Sequence, residues 1–128
     1  MVKRKKGHII NVGSIAGKQV YPGGGVYCAT KFAVDALSQA MRIDLLPYGV
    51  KVTNVAPGAV ETEFSMVRFK GDKEKADKVY QGYTPLTAED IADIVMYVAS
   101  QPAHETINEI VVTATAQANS HYLVRDSQ

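Results

Sequence analysis

The sequence has few of the features that mark disulfide-bonded, membrane-spanning or nucleic-acid-binding proteins. Cys28 is the one cysteine among 128 residues, which excludes an internal disulfide. The formal net charge is only +1, so the chain has no strong field to attract a nucleic acid or a membrane surface. No apolar run approaches the roughly 20 residues of a membrane-spanning helix. We therefore expect a globular cytoplasmic protein with no nucleic-acid partner and no membrane partner.

Two kinds of binding site are also missing from the sequence. His8 and His104 have no Asp, Glu or Cys at metal-ligand spacing, so we expect no metal site. The sequence contains neither G-x-G-x-x-G nor G-x-x-x-G-x-G, the Gly-rich turns that hold a dinucleotide pyrophosphate against a helix N-terminus. Gly23-Gly24-Gly25 does not replace them, because it follows Pro22 instead of a strand. We interpret it as a loop.

Three polar side chains form the most informative pattern in the chain. Ser14 follows Gly13 at the end of the apolar run 9–12, which we interpret as a buried strand. Tyr27 and Lys31 lie one turn apart on the next predicted helix. A strand end and a helix face can therefore present a hydroxyl, a phenol and an ammonium to one point. Such a set predicts an acid–base site for a carbonyl/alcohol pair.

These residues belong to a longer pattern that resembles a known family. The strand ending in Gly13-Ser14, the motif Tyr27 to Lys31 and the run 52–58 are together similar to the short-chain dehydrogenase/reductase family, over roughly residues 7–117. Three further runs, 63–72, 85–90 and 102–108, resemble its NADP-dependent 3-hydroxy acid dehydrogenase branch, which includes serine and allo-threonine dehydrogenases.

The resemblance implies an architecture and a state of assembly. It implies an α/β fold that forms the C-terminal half of a doubly wound Rossmann fold, with about three parallel strands and flanking helices. Residues 1–128 would be one partial Rossmann domain that carries the catalytic and substrate-lid segments, while the Gly-rich dinucleotide-binding half would be absent. The resemblance also implies a homo-oligomer, which is a tetramer in the family. We expect the isolated chain neither to bind NADP(H) tightly nor to be active.

The resemblance implies roles for the side chains of the site. Tyr27 would exchange a proton with the substrate, and Ser14 would orient the developing oxyanion. Lys31 would reach the nicotinamide ribose, and its ammonium together with a cationic nicotinamide should lower the pKa of Tyr27, because nearby cations stabilise phenolate. The cofactor would be NADP, with NAD possible. The residues implied to bind it are Tyr27, Lys31, Pro57, Gly58, Val60 and Thr62.

The implied substrate is a small hydroxy acid or the related carbonyl compound. A carboxylate in water-poor surroundings needs a cationic or amide partner. Arg68 lies in the long segment 57–85, which we interpret as a lid over the substrate, and its guanidinium suits a carboxylate. Gln19 or Tyr21 could serve instead, and Arg68 could equally be a solvated lid charge.

Two alternatives to a dehydrogenase half remain open. An epimerase also carries Tyr-x-x-x-Lys, but little of the chain after Lys31 is left for a separate substrate domain. The other alternative is a non-catalytic fragment that acts as an oligomerisation or interaction module. The mass of the native gene product would separate these readings best.

The sequence also predicts the order of the secondary-structure elements. We expect a helix from about residue 27 to 46, stopped by Pro47 and Gly49. The segment 57–85 should be irregular apart from a short helix at 73–80. Thr87 and Asp90 form the N-cap pattern of a helix over 87–100. The predicted strands are 8–13, 50–56 and 108–113, followed by a polar tail ending at Gln128.

Overall fold

A computed structural model describes residues 1–126 and contains one sheet with flanking helices. The three strands lie in the order β1–β2–β3, and both pairings are parallel. The predicted α/β class with three parallel strands is therefore confirmed. The elements are β1 (Gly7–Val12), α1 (Gly25–Leu45), β2 (Val50–Pro57), α2 (Phe64–Arg68), α3 (Lys73–Tyr80), α4 (Ala88–Ser100) and β3 (Glu109–Val112).

The core lies along the central strand β2. Val52 and Val55 are fully buried, because β2 has a strand on each side and α1 and α4 packed against it. The strand β1 differs from our expectation of a buried strand: its residues are half-buried, and Val12 is 53% exposed. Periodicity cannot distinguish an edge strand from a central one, and β1 pairs on one side only among the described residues.

The long helices begin and end close to the predicted residues. The helix α1 begins at Gly25, two positions before the predicted start, and a 3-10 turn with Pro47 near its beginning follows it. Gly49 then takes a left-handed backbone conformation with φ of 62°, which glycine adopts without strain. At α4 the hydroxyl of Thr87 accepts from the amide of Asp90 at 3.2 Å, and the Asp90 carboxylate accepts from the amide of Thr87 at 2.7 Å. This reciprocal cap confirms the predicted start of α4.

The segment 57–85 is more ordered than we predicted. The short helix at 73–80 is present as α3, and its N-cap is Asp72, whose carboxylate accepts from the amide of Lys75 at 3.1 Å. The helix α2 was missed, because five residues are too few to show a helical period. Together α2 and α3 form one packed unit, which we call the lid (residues 63–81).

The polar tail also has structure that the sequence reasoning missed. The amide of Val124 donates to the carbonyl of Ala116 at 2.9 Å, and that of Ala118 donates to Tyr122 at 3.0 Å. The side chain of Asn119 accepts from two backbone amides and closes the turn between these segments. The predicted end of the tail at Gln128 lies outside the described residues. Among residues 1–126, no helix is both long enough and apolar enough to cross a membrane.

His8 lies in a hydrogen-bonded chain between the strands and the segment before β3. Thr53 has one hydroxyl hydrogen, which it donates to the carbonyl of Ile107 at 2.6 Å. The 2.7 Å contact between Nε2 of His8 and the Thr53 oxygen must therefore have the imidazole as its donor. Burial and the nearby charge of Lys51 lower the pKa of His8 below 6.5. The folded protein thus favours the neutral ring.

This lowered pKa predicts a loss of stability in mild acid. Because the unfolded chain takes up a proton near pH 6.5 and the folded chain does so only at lower pH, stability is complete above pH 6.5 and falls as the pH drops through the folded pKa. Urea unfolding between about pH 7.5 and 5 should show a shallower pH dependence for His8→Gln than for the wild type. His104→Gln, at an exposed site, is the control and should keep the wild-type slope. An unchanged slope in His8→Gln would contradict this account.

Candidate active site

The candidate site is a cavity of about 700 Å³ where β1 and β2 end. Ser14 follows β1, and Pro57 is the last residue of β2. Tyr27 and Lys31 lie in the first two turns of α1 and face the same cavity. Parallel strands end at one edge of their sheet, so residues distant in sequence meet there.

Ser14 is held in a tight turn. Its hydroxyl oxygen accepts from the amide of Ala16 at 3.1 Å and lies 3.4 Å from the carbonyl of Pro57. A Cβ on the preceding Gly13 would overlap the side chain of Asn54 from β2. Because Gly13 has no side chain, the turn that carries Ser14 can pass close to Asn54 of β2.

An ion-pair cluster joins this turn to the helix and the sheet. The ammonium of Lys18 contacts the carboxylates of Asp35 at 2.6 Å and Glu109 at 2.5 Å. The side-chain amide of Asn54 donates to the same two carboxylates at 3.0 Å and 3.2 Å. The cluster thereby links the turn after Ser14 to α1, β2 and β3. We call these four residues the Lys18 cluster.

Tyr27 is half-buried, and its ring lies 5.5 Å from that of Phe64 on α2. Burial raises the pKa of the phenol, while the Ser14 hydroxyl as a hydrogen-bond partner and the charge of Arg68 act in the opposite direction. Burial has the larger effect, so the pKa is above 10.0. Our expectation of a lowered pKa is wrong for the chain by itself.

The position of Lys31 explains part of the difference between the expected pKa of Tyr27 and the pKa in the structure. Its ammonium donates to the carbonyl of Val12 at 3.1 Å and lies 5.8 Å from the centre of the Tyr27 ring. Burial lowers the pKa of Lys31. The ammonium is thus directed at the end of β1, and it does not offset the desolvation of the phenol.

The loop after β2 has most of its backbone amides occupied. Gly58 donates to Val112 at 2.7 Å, Ala59 to the side chain of Gln117 at 2.9 Å, and Glu61 to Leu86 at 2.8 Å. The amide of Val60 has no hydrogen-bond partner within the described part of the chain. It is therefore available as a donor to a bound molecule.

Arg68 lies between two aromatic rings at the side of the cavity. Its guanidinium carbon is 5.5 Å from the ring centres of both Tyr21 and Phe69. These are cation–π distances, and they keep the guanidinium beside the cavity. Gln19 does not line the cavity, and its side-chain oxygen accepts instead from the amide of Ser120 at 3.3 Å.

Comparison with known proteins places the chain in a family. The family model described as short chain dehydrogenase matches residues 1–73. The chain belongs to the short chain dehydrogenase family.

The chain is similar to relatives that are about twice its length. It is 51% identical over 119 residues to an NADP-dependent 3-hydroxy acid dehydrogenase of Salmonella typhi, covering 92% of this chain and 48% of the relative. It is 49% identical over 116 residues to a sulfoacetaldehyde reductase of Chromohalobacter salexigens, covering 91% and 46%. The solved closed form of a serine dehydrogenase complexed with NADP+ is 46% identical, with a TM-score of 0.91 over 99% of this chain and 52% of that one. The chain thus spans about half the length of the curated relatives it matches.

This short chain dehydrogenase structure brings together all the sequence-predicted site residues except Gln19. Those that line the cavity are Ser14, Tyr21, Tyr27, Lys31, Pro57, Gly58, Val60, Thr62 and Arg68. The hydroxyl oxygen of Thr62 also accepts from the amide of Phe64, the first residue of α2, at 3.2 Å. No group of three or more His, Cys, Asp or Glu residues that could hold a metal occurs in the range 1–126.

Sequence reasoning expected a lid over the substrate but missed the part of the cavity formed by the tail. The Asn119-Ser120 turn between apolar residues was the available signal that the tail folds back. Arg125 then contacts the end of the lid, because its guanidinium donates to the carbonyls of Gln81 and Val79. The additional polar or aromatic lining residues are Phe64, Ser65, Phe69, Tyr80, Tyr83, Gln117, Ser120, His121 and Arg125.

Proposed function

We propose that this chain is the catalytic half of an NADP-dependent short chain dehydrogenase that interconverts a small 3-hydroxy acid, or a related alcohol, with its carbonyl form. The observation that carries the proposal is the meeting of Ser14, Tyr27 and Lys31 on one cavity. The names of the relatives, an NADP-dependent 3-hydroxy acid dehydrogenase and a serine dehydrogenase complexed with NADP+, support both the reaction and the cofactor. A further segment, outside this chain, would supply the Gly-rich pyrophosphate turn.

The residues at the end of β2 fit a nicotinamide. The unpaired amide of Val60 can donate to a carboxamide oxygen, and the Thr62 hydroxyl lies beside it on the cavity wall. The ammonium of Lys31 can donate to the hydroxyls of the nicotinamide ribose. NAD and NADP share this ribose, so NAD is an alternative cofactor as far as this part of the site is concerned. The bound cofactor supplies a hydride acceptor for oxidation and a hydride donor for reduction.

Tyr27 acts on the oxygen of the substrate. Because burial raises its pKa above 10.0, the phenol carries a proton at neutral pH and can donate it to a carbonyl that is being reduced. In the oxidising direction Tyr27 takes the hydroxyl proton, which requires a lower pKa. The charge of Arg68 favours phenolate. The one hydroxyl hydrogen of Ser14 points to the Pro57 carbonyl in the structure, and it can turn to donate to the substrate oxygen on which negative charge develops.

Arg68 defines the class of substrate in this proposal. Its guanidinium lies within cation–π distance of Tyr21 and Phe69 at the cavity wall, and a guanidinium can bind a carboxylate in a bidentate manner. The reactions named for the two curated relatives involve small acids, a hydroxy acid and a sulfonated aldehyde. A small anion therefore suits the cavity better than a neutral alcohol.

One observation favours a second function as an assembly module. Apolar side chains on α1 are exposed, with Val26 at 84%, Leu37 at 56% and Ile43 at 73%. An exposed apolar stripe on a helix is typical of an interface, and we propose that it serves a homo-oligomer. This function is compatible with the catalytic one and does not replace it. A cytoplasmic location accords with an NADP-linked reaction and is part of the same proposal.

Removal of the Tyr27 hydroxyl tests the catalytic proposal. In the full-length protein that contains this chain, Tyr27→Phe keeps the ring and removes the proton donor, so kcat should fall by about 100-fold or more. Affinity for NADPH, followed by its fluorescence, should change less than about threefold because the ring contact with Phe64 is kept.

Tyr97→Phe is the matched control, because Tyr97 is 58% exposed on α4 and outside the cavity. It should retain wild-type kcat. Tyr27→Phe with activity within threefold of the wild type would contradict the proposed role, and a wild-type full-length protein without turnover would favour the assembly module.

Removal of the Arg68 charge tests the substrate class. Arg68 is exposed, so Arg68→Ala should lower kcat/KM for a 3-hydroxy acid by about tenfold, which corresponds to a hydrogen bond between charged groups of about 1.5 kcal/mol. The loss should be much smaller for an uncharged alcohol of similar size. Lys70→Ala removes a cation that does not line the cavity and should affect both substrates little. Equal losses for both substrates in Arg68→Ala would mean that Arg68 supports the lid and does not bind the carboxylate.

A further inference from the structure

Tyr80 connects the lid to the loop after β2. Its phenol, at the end of α3, donates to the carbonyl of Val60 at 2.9 Å and lies 2.7 Å from the hydroxyl of Ser65 on α2. All three residues line the cavity. The contact therefore joins both lid helices to the residue whose free amide fits the cofactor.

The directions of these two hydrogen bonds follow from the number of hydrogens. A phenol has one hydrogen, and Tyr80 donates it to Val60, which can only accept. Ser65 must then donate its hydroxyl hydrogen to the Tyr80 oxygen. Ser65 is only 4% exposed, so this hydroxyl cannot exchange its partner for bulk water without moving α2. The hydrogen bonds therefore run in one direction, from the Ser65 hydroxyl to the Tyr80 phenol and from that phenol to the Val60 carbonyl.

Tyr80 makes the one side-chain hydrogen bond between the lid and this loop, among the described residues, that joins positions remote in sequence. Apart from the local bond between Thr62 and Phe64, no other side-chain hydrogen bond joins residues 63–81 to residues 58–62 among those described. The ion pairs of α3, between Lys73 and Asp77 and between Lys78 and Glu74, lie on its solvent side. Surface pairs of this kind contribute little.

We propose that Tyr80 is a positioning residue that couples the lid to the cofactor-binding loop. The inference rests on the proposed function, because it places the nicotinamide against the Val60 amide. The Val60 amide shares a rigid peptide plane with the Ala59 carbonyl, and the Val60 carbonyl shares one with the Glu61 amide. Leu86 bonds to both planes, donating to Ala59 at 3.2 Å and accepting from Glu61 at 2.8 Å. A ligand that fixes the Val60 amide therefore also restricts the carbonyl that Tyr80 binds. Cofactor binding then orders α2 and α3 before the substrate arrives, and a closed lid in turn tightens the cofactor.

Tyr80→Phe tests this coupling because it removes the hydroxyl and keeps the ring. Hydrogen–deuterium exchange is measured on the full-length protein with and without saturating NADPH. In the wild type, NADPH should slow exchange in residues 63–81. In Tyr80→Phe, at NADPH concentrations that saturate the variant, this added protection should fall at least fivefold, and affinity for NADPH should weaken about three- to tenfold. A fivefold effect corresponds to a hydrogen bond of about 1 kcal/mol.

Two further variants separate coupling from a general loss of structure. Ser65→Ala removes the donor to Tyr80 and should reduce the cofactor-induced protection in the same direction, to a smaller degree. Tyr97→Phe is the control and should behave as the wild type, and exchange in α4 should be unchanged in all variants. If NADPH slowed exchange in residues 63–81 of both Tyr80→Phe and Ser65→Ala as much as in the wild type, the coupling would be overturned while the proposed function would stand. Absence of NADPH binding by the wild type would overturn the proposed function and the coupling with it.

Discussion

The bridge that Lys18 makes between Asp35 and Glu109 is the interaction on which the site geometry depends. Burial lowers the pKa of Lys18, but its hydrogen bonds to Asp35 and Glu109 outweigh burial and leave the pKa raised. For Asp35, burial raises the pKa, but the bond and the charge of Lys18, together with the bonds from Asn54 and Gln39, lower it by more than burial raises it. Lys18 and Asp35 are therefore both charged at neutral pH. Without the lysine, two carboxylates would face each other beneath the turn that carries Ser14.

This cluster explains why the three proposed acid–base residues lie together. Lys18 follows the Ser14 turn, and Asp35 lies one helical turn after Lys31 on α1. The ion pair therefore holds the helix that carries Tyr27 against the turn that carries the serine. Asn54 from β2 donates to both carboxylates and leaves room for no side chain at Gly13. One set of polar contacts thus sets the separation of the serine, the tyrosine and the lysine.

The sequence predicts those parts of the structure that depend on local patterns. The parallel sheet follows from strands that alternate with helices, and α4 follows from the Thr87 cap. Ser14, Tyr27 and Lys31 could be named because strand-end and helical spacing place them at one edge of the sheet. The short helix α2 and the folded tail could not, because their positions depend on contacts of Tyr80 and Arg125 that are remote in sequence.

The pKa of Tyr27 shows the same limit of local reasoning. The spacing between Tyr27 and Lys31 predicts a cation close to the phenol, but the ammonium bonds to the end of β1, and Phe64 from the lid desolvates the ring. Because burial raises the pKa of the phenol, Tyr27 is protonated at neutral pH and suited to donate a proton. Oxidation of an alcohol needs the phenolate instead, which accepts the proton. In this account the positive charge of an oxidised nicotinamide supplies the missing stabilisation.

The most direct test is therefore the pKa of the Tyr27 phenol in the full-length protein, measured by NMR of ¹³C-labelled tyrosine with and without NADP+. The resonance is assigned by its loss in Tyr27→Phe. We expect a pKa above 10.0 without the cofactor and a decrease of about one unit or more when NADP+ is bound. The same pKa in both samples would contradict the assignment of Tyr27 as the acid–base residue beside the nicotinamide.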